Sequence, residues 1–179
     1  FVMLFMSHNT SAQTVVIQGS ERNNYFVELL NHALSYSPKK NYQLTFYNMR
    51  LPKPRVLKNI ATNGGINIIA AGATIEREKI LQPIWFPILK GLYGWRIPLV
   101  NKENSNLFLP KLSSEAFKKL TVGQLHSWSD TKVLESNDIH VEKGSHYQGL
   151  FQMLEANRFD YFPRSILEAQ AELDRNKNL

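Results

Sequence analysis

With 179 residues, 43% of them hydrophobic and 11% aromatic, the chain carries enough apolar material for one large domain or two small lobes, and its composition is not that of a disordered protein. The absence of cysteine excludes a disulfide framework and a thiolate metal site. The net charge of +6 raises a nucleic-acid reading, but the basic residues stand singly or in pairs, as at Lys39-Lys40 and Lys118-Lys119, without interleaved aromatics; a solvated basic surface accounts for them.

Residues 1–6 form a short apolar run, followed by polar residues and then small ones near Ala12. This pattern predicts the end of a secretory leader over 1–12, the alternative being a hydrophobic first strand. No apolar stretch elsewhere reaches the roughly 18 residues of a spanning helix. A buried strand is predicted over 14–19, ending at Gly19, and Asn23-Asn24 offers an N-cap. Tyr25, Phe26, Leu29, Leu30, Ala33 and Leu34 then recur at helical spacing up to Ser37-Pro38. Strands are predicted at 42–47 and 66–72, with a helix at 54–61 between them. This β-α-β-α-β order implies parallel pairing with right-handed crossovers.

Prolines at 83 and 87 keep the next segment extended and out of a central ladder. A strand at 95–100 follows, and the lobe boundary is placed at 93–95. The second half repeats the logic: helix 113–120, strand 120–124, helix 130–136, strand 139–142. A strong amphipathic helix over 145–157 buries Leu150, Phe151, Met153 and Leu154. A strand at 159–162 leads to a last helix from Ser165 to Leu173, with a polar, fraying end at 174–178.

Three stretches carry a family resemblance. The first is Thr74 to Lys79, a T-x-E-R turn after the third strand, followed by Pro83-Ile84 and residues 90–96. The second is Gln124 to Thr131 with Leu134 and Asn137. The third is residues 150–154 with the run Arg158-Phe159-Asp160-Tyr161-Phe162-Pro163-Arg164. Together they resemble the bacterial extracellular solute-binding proteins of family 3, in order and over nearly all of residues 14–173. The resemblance implies an α/β, type 2 periplasmic-binding-protein-like fold of two lobes, 13–94 and 95–179, joined by a hinge. It implies an extracytoplasmic, periplasmic binding protein, monomeric and without cofactor or nucleic acid, that captures an amino acid or other small carboxylate-bearing solute for an ABC permease. A ligand-sensing module of a signalling system is the alternative. Three departures stand out. Leu125 occupies a position where the subgroup has Gly, Ser165 occupies the place of the Asp that holds a ligand ammonium, and the sequence ends before the family's return into the first lobe.

The residues themselves supply six candidates. Arg77 follows a strand end, where open α/β sheets bind ligands, and its planar fork suits a carboxylate; a surface ion pair is the plainer role. Thr74 adds a hydroxyl to the same anion or serves as a helix N-cap. Ser127, Trp128 and Thr131 stand at a helix start, where N–H groups favour an anion; capping chemistry is equally open to them, and Trp128 either stacks on a ligand or fills space. Arg164 follows a strand end in the second lobe, with Glu168 one turn on as its structural partner. The five histidines lack metal spacing, and no catalytic motif or phosphate-binding loop occurs, so no enzyme activity and no metal are expected. The expected ligand is a small anion-bearing molecule rather than an α-amino acid held in the usual way.

Overall fold

The computed structural model describes residues 13–19, 25–38, 41–109, 111–177 and 179. The expected leader, 1–12, and the expected cap, Asn23-Asn24, lie outside the described residues. The chain divides into two compact units, the first ending at Trp85 and the second beginning at Phe86. Residues 86–94 therefore go with the second unit, where the sequence placed them in the first. No helix among the described residues is long and apolar enough to cross a membrane.

In the first unit, strand β1 (Gln13–Ile17) pairs in parallel with β2 (Tyr42–Phe46), Gln13 facing Tyr42 and Ile17 facing Phe46. Helix α1 (Tyr25–Ser35) makes the crossover that parallel pairing requires. Its inward side carries Phe26, Val27, Leu29, Leu30 and Leu34, while Tyr25 and Ala33, expected on that face, are exposed. Helix α2 (Lys53–Ala61) starts after Pro52, with Pro54 in its first turn, where a missing N–H costs no helical bond. Ile17, Val27, Val56 and Ile66 are the buried apolar residues described in this unit.

The third strand expected at 66–72 is not formed. The Asn67 N–H donates to the Val16 carbonyl at 2.8 Å, but the Val16 N–H donates back to the Asn67 side-chain Oδ1 at 2.7 Å. A side chain thus takes the acceptor role that a backbone carbonyl would need to continue the ladder. Gln18 does the same at the strand's far end. Its side-chain amide accepts from the Leu51 N–H and donates to the Leu51 carbonyl, both at 2.8 Å.

In the second unit, β3 (Arg96–Leu99) runs antiparallel to β6 (Phe162–Ser165). Beside them β4 (Val122–Leu125) and β5 (Val141–Gly144) form a parallel pair crossed by α5 (Ser129–Glu135). Helices α4 (Ser114–Lys118), α6 (Tyr147–Glu155) and α7 (Ala169–Arg175) complete this unit; α3 (Ile75–Glu78) belongs to the first. The core gathers Leu99, Leu150, Phe151, Leu154, Phe159, Phe162 and Ala169, with Met153 partly buried against it. The face expected of α6 is the face it buries.

Strand β6 starts three positions later than the sequence pattern indicated. Asn157 takes a left-handed conformation (φ 52°), and the Asp160 carboxylate accepts the Thr121 N–H at 2.6 Å. Residues 157–160 are therefore a turn. The last helix is also displaced: Ser165 belongs to β6, and its carbonyl and hydroxyl accept the N–H groups of Glu168 and Leu167, so α7 begins only at Ala169.

Two prolines limit the sheets. The Ile166 N–H donates to the Trp95 carbonyl, which makes 97/164 and 99/162 the hydrogen-bonded pairs of β3 and β6. Pro98 and Pro163 face each other at a non-hydrogen-bonded position, so neither removes a bond from this ladder. Tyr161 bridges in parallel to Val122, and the Gly123 N–H donates to the Tyr161 carbonyl at 2.9 Å. The next bond in that register would need an N–H at residue 163. Proline has none, and the β4–β6 contact stops at one bridge.

Candidate functional site

In the first unit the chain emerges from the extended 66–72 segment into α3. Thr74 is its N-cap: the hydroxyl oxygen accepts the Arg77 N–H at 3.3 Å. The Arg77 guanidinium folds back and donates from Nη1 to the Gly72 carbonyl at 2.5 Å. Among the described residues that carbonyl is its one hydrogen-bond partner. Thr74 and Arg77 are thus brought together, by capping geometry, and no carboxylate among the described residues pairs with the guanidinium.

In the second unit, β4 ends in a turn at 126–127 that carries Ser127, which is exposed. Trp128 caps α5 by its backbone and lies parallel to Phe162, with ring centres 6.0 Å apart. Thr131 is buried, and its hydroxyl donates to the Leu125 carbonyl at 3.0 Å. That bond ties α5 to β4.

Arg164 is only 4% exposed. Its Nε donates to Glu172 Oε2 at 2.8 Å, and its Nη2 donates to Glu172 Oε1 and Glu168 Oε2, each at 2.9 Å. The guanidinium carbon lies 5.0 Å from the ring centres of Trp128 and Phe162 and 5.4 Å from that of Tyr147. Tyr147 in turn donates its hydroxyl to Glu172. The sequence offered Glu168 as the partner; the larger share of the pairing falls to Glu172, at twice the helical spacing. Arg164-x3-Glu168-x3-Glu172 was the available signal.

Burial alone would raise the Glu172 pKa, but the hydrogen bonds from Arg164 and Tyr147 outweigh it and hold the carboxyl below its usual range. Burial alone would lower that of Arg164, and its two carboxylate partners reverse the direction. The Tyr147 hydroxyl is pushed up to about 12, first by burial and then by its bond to Glu172. The signs follow. Glu172, lowered on folding, contributes stability that is complete above the ordinary carboxylate range and is lost as pH falls below that range, through its lowered value. Tyr147, raised from 10.0, contributes stability that is complete below pH 10 and is lost as pH rises through about 12. Thermal denaturation across pH is expected to show both limbs, with Tyr147→Phe shrinking the alkaline one; a flat acid side would contradict the Glu172 assignment.

A second cluster adjoins the first through Glu168. Arg96 Nη2 pairs with Asp130 at 2.6 Å, its guanidinium covers the Tyr93 ring at 5.0 Å, and Tyr93 reaches Glu168 at 3.4 Å. Sequence reasoning missed Arg96, because nothing in a lone arginine at a strand start announces a partner 34 positions on. An open groove of about 680 Å³ lies elsewhere in this unit, between Phe108, Phe117, Val133 and Ile139, and holds none of the six expected residues.

No protein-family model and no curated protein matches the chain. Solved structures do match. The arginine-bound form of a truncated ArgBP from T. maritima covers 93% of this chain with 79% of its own, at 19% identity and a TM-score of 0.57. A Salmonella typhimurium periplasmic binding protein described for high arginine specificity covers 93% with 75%, at 14% identity and 0.55. The periplasmic VFT2 domain of Bordetella pertussis BvgS covers 92% with 70%, at 10% identity and 0.57. The chain has the periplasmic-binding-protein fold. The expected α/β class of two lobes is thereby met, with a parallel strand pair and crossover helix in each unit. At these identities the periplasmic-binding-protein likeness is one of fold, and the chemistry of this chain rests on its own residues.

Proposed function

We propose that the chain is an extracytoplasmic solute-binding protein that captures a small, polar, anion-bearing solute and delivers it to an ABC-type permease, acting as a monomer without catalysis. The observation that carries this reading is the contrast between two arginines in a binding-protein fold. Arg164 spends its donors on two carboxylates of its own unit, whereas Arg77 has a single carbonyl partner among the described residues. A fork held by one bond at Nη1 keeps its orientation while its other donors serve a carboxylate. Thr74 fixes the turn that carries it. Ser127, exposed in the turn after β4, is the ligand-facing candidate of the second unit, whereas the Trp128 ring is turned to Arg164 and Phe162. Ser165 is fully buried, and its hydroxyl accepts a backbone N–H, so no carboxylate stands there for a ligand ammonium.

The neighbours named for arginine make the ligand class a sharp question. A thermal-shift panel of amino acids, dicarboxylates and other small metabolites tests it, since a ligand of the folded state raises the midpoint with the logarithm of its concentration over its dissociation constant. The expected hit is a carboxylate-bearing solute without need of an ammonium. Arg77→Ala is expected to weaken its binding about 10- to 100-fold, the range for losing a charge-assisted pair. A strong shift with a basic amino acid that survives Arg77→Ala unchanged would refute the anion reading while leaving solute binding in place.

A further inference from the structure

We infer that the second unit contains a binding site for a planar guanidinium cation and that Arg164 fills this site from within the chain. The inference is independent of which solute the protein captures. The site has two kinds of wall. Along the edge of the guanidinium stand Glu172, which accepts from Nε and Nη2, and Glu168, which accepts from Nη2. Around it stand Trp128, Phe162 and Tyr147, the guanidinium carbon lying over each ring, 5.0 to 5.4 Å from its centre. Each wall answers a property peculiar to guanidinium among side-chain cations. Its donors lie in one plane and fork toward paired oxygens, and its flat faces are weakly hydrated and stack on rings. An ammonium presents its donors from one point, keeps its hydration, and meets the same three oxygens poorly.

The walls have supports besides their occupant. Tyr147 donates its hydroxyl to Glu172, and Tyr93 reaches Glu168 at 3.4 Å. Trp128 and Phe162 stack nearly parallel, at 10°. Phe151 meets Tyr147 and Phe162 edge-on, with centres 5.3 and 5.2 Å away. A box braced in this way keeps its shape when the guanidinium is cut off. What it then lacks is the cation itself. Because the chain supplies that cation, a solute cation has no entry here, and this box is subtracted from whatever surface the unit offers a ligand.

The test is chemical rescue of Arg164→Ala, with guanidinium and methylguanidinium as probes and methylammonium at equal ionic strength as comparator, all below denaturing concentrations. The variant is expected to melt well below the native protein. Both guanidinium probes are expected to raise its midpoint saturably by several degrees, methylammonium to leave it unchanged, and the native protein, its box full, to show no rise. Adding Glu172→Gln is expected to abolish the rescue. If Arg164→Ala does not fold alone, the same reagents are compared for recovery of folded protein on refolding, and recovery with guanidinium alone supports the site. No gain with either guanidinium probe, or an equal gain with methylammonium, overturns it. Arg164→Lys provides a separate measure. It keeps the charge without the fork and is expected to melt near Arg164→Ala; a native midpoint would overturn the site, because a point charge would then suffice.

Discussion

Glu172→Ala is expected to destabilise the second unit by about 3–5 kcal/mol at neutral pH, the range for removing one partner of a buried ion pair. Glu172 is 5% exposed and holds two of the three carboxylate bonds to Arg164. Without it, the guanidinium stays buried against three rings with only Glu168, which is about one-third exposed, to answer its charge. Tyr147 also loses the acceptor of its hydroxyl. The cost is therefore chiefly that of an uncompensated buried cation, and only in part that of the lost contact. Glu168→Ala removes one bond at the wetter end of the cluster and is expected to cost far less. Urea denaturation of the two variants checks the order; equal losses would mean that Arg164 does not discriminate between its carboxylates.

Phe162→Ala is expected to cost about 3–5 kcal/mol, the range for truncating a buried aromatic. Phe162 is fully buried in β6 and touches Trp128, Phe151 and Phe159 ring to ring. Its ring also forms part of the surface under Arg164. The substitution opens a cavity between β6, α6 and the α5 start and removes one aromatic wall from the guanidinium. Its loss and that of Glu172→Ala should therefore not add. Both act on Arg164, and a double-mutant cycle is expected to return a coupling well outside the few tenths of a kcal/mol seen for independent sites. Additive losses would place Phe162 in the core alone.

The sequence made the helices and their buried sides readable where apolar spacing was strong. Leu150, Phe151 and Leu154 recur with the period of α6 and were assigned to the core on that ground. The parallel order of β1 and β2 likewise follows from two apolar runs with an amphipathic helix between them. What periodicity cannot carry is the reach of a side chain. Asn67 sits in an apolar run that reads as a strand, and only its amide, bonded to Val16, ends the ladder there. Asp160 is unremarked within an apolar stretch, yet its bond to Thr121 shifts the start of β6. At the candidate site, Thr74 and Arg77 were recognised as neighbours because a cap and its partner are close in sequence. Glu172 escaped notice because a helix drawn from Ser165 places it two turns from Arg164. The actual path, strand then turn then helix, folds α7 back so that both glutamates face the same guanidinium.

The proline at position 98 has a consequence for how copies of this molecule meet. In a two-stranded sheet the outer edge of β3 is a row of groups able to template an incoming extended chain. Its outward-facing positions are 96 and 98, and at 98 there is no hydrogen to give. A strand docking from outside would find a gap in the middle of a four-residue edge, with the charged Arg96 beside it already engaged by Asp130. Crowded protein thus meets an edge that resists seeding intermolecular sheets, a safeguard that leaves the internal pairing with β6 untouched.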